Sequence, residues 1–252
     1  MLHAISSLKG HTLAATDGEI GNVRDVYFDD RTWGVRYLVV NTGAWLLGRE
    51  VLLSPEALGQ ISSDRILVNL TREKVKGAPE LESERPVSRQ RESVYRQYYG
   101  WADEWGAVQA AGAVAAPILP VNVLGPDSPP LSGALDAEAE AHDPHLRSAR
   151  EVTGYKVEAT DGEIGHVEDL LLDATAWLIR GVVVDTLNWL PGGFVTVHPS
   201  VLREVSWESQ RVFLAMTREQ VKNAPPYDDP SGPVMPFTTP PAGAGIPGPL
   251  PP

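Results

Sequence analysis

Over residues 11–70 short apolar runs alternate with clusters of Gly, Asp and Pro, and the same pattern returns in the second half of the chain. Residues 35–40 (VRYLVV) are β-branched and partly alternating, which predicts a buried strand. Ile20, Val23, Val26 and Phe28 predict a bent strand ending at the Asp29-Asp30 turn. Residues 11–14 predict a first strand, residues 51–53 a short one and residues 66–70 the last. Ser54-Pro55 caps and opens a single helical turn over residues 54–58. Thr71 caps a short helix through Val75.

The stretch ATDGEIG occurs at residues 15–21 and again at 159–165. One constant interval separates Asp17 from Asp161, Trp33 from Trp177, Trp45 from Trp189 and Pro55 from Pro199. TREKVKGAP from Thr71 returns as TREQVKNAP from Thr217, displaced by a small insertion around Ser206-Trp207. In the second copy Thr217 and Gln220 stand at capping-box spacing, where the first has Thr71 and Lys74. The unit spans roughly 80 residues, the size of a small domain, so a domain has been duplicated. Asp17-Gly18 and Asp161-Gly162 predict type I′ hairpin tips, with positive φ at both central residues. Gly21 and Gly165, just inside the returning strand, predict a bulge or a close backbone approach.

Five or six short strands per copy predict a mainly β fold: two small antiparallel β-barrels with short helices, whose closure would remove exposed edges. The expected organisation is a first barrel over 1–80, a charged and aromatic helical segment over 81–105, an Ala/Gly/Pro-rich linker over 106–145, a second barrel over 146–226 and a disordered Pro-rich tail over 227–252. Within 81–105, Val94, Tyr98, Trp101 and Trp105 fall on one helical face, with Gly100 interrupting it. Residues 106–126 carry no charge, but Pro117, Pro120 and the Ala/Gly content favour a linker over a membrane helix.

A net charge of −12 with a pI near 4.9 argues against nucleic acid as a partner. The absence of Cys excludes disulfides, thiolate catalysis and Cys-ligated zinc. The first residues lack the layout of a signal peptide, so a cytoplasmic protein is expected.

Candidate chemistry is sparse. Asp17, Glu19, Asp25 and Asp29, with Asp161, Glu163, Asp169 and Asp173, offer oxygen ligands for a hard cation, but Asp forms turns and the spacing matches no calcium loop. His142 and His145, in HDPH, have no third ligand nearby, and His11, His166 and His198 are scattered. No metal, cofactor or catalytic residue is assigned, and the chain is expected not to be an enzyme. The four repeated tryptophans are barrel core or end-plug in the simplest reading. In the alternative, Trp45-Leu46 and Trp189-Leu190 present anchors to a protein partner. The cluster containing Tyr98, Trp101 and Trp105 either packs on its own barrel or docks a second chain.

The pattern DGEIGxVxDxxxD, then Trp, a Val-rich strand, Trp and Pro, resembles the PRC-barrel domain, over residues 3–78 and again 150–224. That is the β-barrel of the cytoplasmic part of the photosynthetic reaction-centre H subunit, and PVSRQRESVYRQYYGW (86–101) resembles the segment that follows it in tandem members. The resemblance implies two PRC-like barrels, either as a homodimer-forming unit or as an intramolecular pair related by a pseudo-twofold axis. The leading expectation is a non-enzymatic protein-binding or scaffold protein that uses barrel faces and the Trp loops to engage a protein partner. The alternative is an accessory or assembly factor of a photosynthetic reaction-centre or other membrane electron-transport complex, with that membrane-associated complex as partner.

Overall fold

The computed structural model describes residues 2–79, 81, 89–101, 145–186 and 193–227. Residues 106–144 of the expected linker, the tail after Tyr227, Trp105, Trp189 and Leu190 lie outside the described residues. The chain is mainly β. In the first half come β1 (Leu2–Ala4), α1 (Ile5–Leu8), β2 (Thr12–Ala15), β3 (Gly18–Asp29), β4 (Val35–Asn41), β5 (Glu50–Leu53), β6 (Leu58–Ile61), β7 (Arg65–Val68), α2 (Arg72–Lys76) and α3 (Arg89–Tyr99). The second half repeats all of these but α3 among the described residues, as β8 (Leu146–Ser148), α4 (Ala149–Val152), β9 (Lys156–Ala159), β10 (Gly162–Asp173), β11 (Leu178–Asp185), β12 (Phe194–Val197), β13 (Leu202–Ser206), β14 (Arg211–Leu214) and α5 (Arg218–Lys222).

The two sheets share one strand order, β5-β4-β3-β2-β7-β6 and β12-β11-β10-β9-β14-β13. Neighbours are antiparallel except β2/β7 and β9/β14, which are parallel. The hairpin pattern predicts antiparallel neighbours throughout, but β2 and β7 are joined through the rest of the unit rather than by a turn. The path is also open: the terminal strands β5 and β6 do not pair. They are consecutive in the chain and meet at the 3-10 turn Pro55–Ala57, capped by Ser54. A covalent corner therefore stands where ladder hydrogen bonds would close a barrel.

Local chemistry explains most elements. Along β3, Ile20, Val23, Val26 and Phe28 are buried, so the strand bends around the core it faces. Thr71 accepts from the Lys74 amide at the start of α2, and Thr217 with Gln220 forms the full capping box of α5. The hairpin tips differ from expectation. Ala15 pairs with Gly18 and Ala159 with Gly162, which puts Thr16-Asp17 and Thr160-Asp161 at the centre. None of these four has positive φ, so the tips are not type I′. The aspartates instead accept from the Arg72 and Arg218 amides, both at 2.7 Å, tying each tip to the helix that follows the last strand. Gly21 and Gly165 do mark a close approach: φ is 144° and 153°, and a Cβ would overlap the Asn41 or Asp185 carbonyl oxygen.

Each sheet gains a seventh strand from the other half. β1 pairs antiparallel with β10, and β8 pairs antiparallel with β3. The exchange is reciprocal, and one continuous apolar core runs through both units, including Val26, Phe28, Leu146, Val152, Val167 and Leu170.

Candidate functional site at the seam between the units

The seam is built from equivalent groups meeting across a pseudo-twofold axis. The Val35 amide donates to the Trp177 carbonyl and the Ile179 amide to the Trp33 carbonyl, both at 2.8 Å. Trp33 and Trp177 each adopt positive φ (61° and 51°), a costly conformation for a bulky residue that the two crossing bonds hold in place.

Two buried carboxylates fasten the exchanged strands. Asp25 accepts from Ser148 Oγ at 2.5 Å, from the Arg150 amide at 3.1 Å and from its neighbour Val26 at 2.8 Å. Asp169 accepts from the Ser6 hydroxyl, from the Ser6 amide at 3.2 Å and from Leu170 at 2.7 Å. The amide donors Ser6 and Arg150 are equivalent positions, whereas the hydroxyl donors are not. The bond recurs although the residue supplying it has moved. Burial pushes the Asp25 carboxyl above the ordinary Asp value, and its three donors offset this only in part.

A cleft of about 1020 Å³ opens beside the seam, lined by both units. Asp30 sits in its wall, paired with His145 Nδ1 at 2.9 Å and Arg147 at 2.8 Å. Burial pushes the Asp30 carboxyl up, against the pull of Arg147. Four arginines (31, 147, 180 and 203) and three acids (Asp30, Glu204 and Glu208) line the cleft, in a chain of net charge −12. Trp207, in the small insertion of the second copy, lines it too and is 50% exposed. Sequence reasoning noted the insertion but had no means to place it over an interdomain cleft.

The eight repeated carboxylates are occupied as structure. Besides the tips and the seam, Asp29 accepts from the Arg31 and Thr32 amides, and Asp173 from Thr175. Glu19 pairs with Arg65, and Glu163 with Lys156 and Arg211. The Arg218 amide holds Asp161 below the ordinary value.

Of the residues expected to meet a partner, Trp45 is half-buried: its Nε1 donates to the Ile20 carbonyl at 2.7 Å, and the Arg72 guanidinium lies 4.5 Å from its ring centre. Leu46 is half-buried too, while Leu47 at the same loop tip, also with positive φ, is 97% exposed. The aromatic segment packs on its own unit. Tyr98 Oη donates to the Lys74 carbonyl, Lys74 Nζ donates back to the Tyr98 carbonyl, both at 2.8 Å, and the Tyr95 hydroxyl donates to Pro79. Trp101 stacks on Tyr99 with ring centres 4.2 Å apart.

The strand order, the repeated tips and the match of a family model to residues 2–75 decide the family of this unit. Residues 2–75 are a PRC-barrel domain. The second unit repeats the strand order of the first. No curated protein matches the chain. Among the described residues, no helix is long and apolar enough to cross a membrane.

Proposed function

We propose that the protein is a non-enzymatic, cytoplasmic scaffold that uses its paired barrels as one platform to bind a protein partner. The observation that carries this reading is the seam cleft, where an exposed Trp207 stands among four arginines and three acids in a chain of net charge −12. A half-exposed tryptophan in a concave, polar-rimmed site is the usual anchor of a protein interface. The arginines suit a partner segment carrying acidic residues next to an apolar side chain. The exposed Leu47 and the Trp45-Leu46 loop behind it offer a second, smaller contact.

The test is co-purification from the native host with wild-type chain, Trp207→Ala and Leu47→Ser, read by mass spectrometry. One partner held by wild type and lost from Trp207→Ala supports the reading. Identical partner sets for all three chains would sink it, as would substrate turnover by the purified protein.

A further inference from the structure

We propose that His166, Glu168 and Asp185 form a binding site for a first-row transition dication, zinc foremost. His166 Nε2 lies 3.5 Å from Glu168 Oε2 and 3.7 Å from Asp185 Oδ2. The three donor atoms all lie within 4.8 Å of one another. Those separations are long for hydrogen bonds. The two distances from His166 are close to the edge of about 3.4 Å between ligands arranged tetrahedrally around zinc.

The backbone brings the three together across two strands. His166 on β10 faces Asp185 on β11, and the register slips between Val167 and Asp169, making Glu168 the extra residue of a bulge. Bulges re-aim a side chain, here toward His166. Asp185 is buried, while His166 and Glu168 are each 42% exposed, so an ion can enter and a water can complete the shell.

The first unit supplies an internal comparison. Asn22 pairs with Asn41 there, with the same slip between Val23 and Asp25, and Arg24 takes the bulge position. Asn22 donates to the Gly10 carbonyl, Asn41 accepts from the Gly43 amide, and Arg24 pairs with Glu50. The fold therefore forms without any of the three ligands, and only the second copy gathers an imidazole and two carboxylates at this place. An imidazole in the set favours zinc and its neighbours over calcium or magnesium, which take oxygen ligands.

The test is calorimetric titration of the untagged full-length chain with Zn²⁺ and, separately, Ca²⁺. Wild type should bind zinc and not calcium. The triple variant His166→Asn/Glu168→Arg/Asp185→Asn installs the first copy's residues and should lose the zinc signal while keeping the wild-type circular dichroism. The double variant His142→Ala/His145→Ala should keep the signal. If the triple variant fails to fold, His166→Gln alone must abolish binding. The assignment is overturned by a wild type that takes no zinc, by a folded triple variant that still binds, by loss confined to the His142/His145 variant, or by a preference for calcium.

Discussion

Replacing Asp25 with Ala tests the seam most directly. Asp25 is 7% exposed and holds three donors, two of them from the segment that crosses from the second half. Stranding a buried donor costs about 1–3 kcal/mol, so losing all three would cost about 3–9 kcal/mol without compensation. Compensation exists, because the raised pKa of Asp25 shows that burying the charge opposes folding at neutral pH. The low end, about 3 kcal/mol, is the expected loss, a large part of the total stability of an ordinary domain. The sign of the pH dependence follows from the same shift. With the folded pKa above the unfolded one, the native chain binds more protons between the two values. The contribution of this group therefore falls as pH rises through the folded pKa and recovers as pH falls. Asp25→Asn cannot titrate, so wild type should gain stability relative to that variant on acidification from pH 7. Urea denaturation followed by tryptophan fluorescence, repeated across pH, measures both effects. A loss below about 1 kcal/mol for Asp25→Ala would refute the account of the seam. An Asn variant that gains on wild type in acid would refute the dominance of desolvation.

Gly21→Ala should lose about 3 kcal/mol or more, or fail to fold, because the new Cβ overlaps the Asn41 carbonyl oxygen of a paired strand at positive φ; soluble yield and melting temperature read this. Trp45→Phe removes the indole donor to the Ile20 carbonyl and should cost about 1–2 kcal/mol in urea denaturation. Gly77→Ala puts a Cβ against the Tyr98 hydroxyl. It should release α3 from the first unit, seen as faster proteolysis within residues 89–99 with the rest of the chain still protected.

The sequence by itself determined the repeated unit, because strand alternation, Thr caps and glycine placement act within a few residues of one another. The Val-rich strand, the capping box of Thr217 and Gln220, and the close approach at Gly21 and Gly165 were all legible for that reason. The turn type was not, since the Asp17 carboxylate bonds an amide far along the chain and overrides the local Asp-Gly preference. Only the tertiary structure decided the exchange of β1 and β8, strands of three residues with no periodicity to announce them. It likewise decided which aromatics are spent on packing, as Trp45 and Tyr98 are, and which remain available, as Trp207 is. His166, Glu168 and Asp185 meet through strand pairing and a bulge, and no spacing along the chain encodes that meeting. Local physics wrote the module twice; the contacts between distant segments made the two copies one body and made them different.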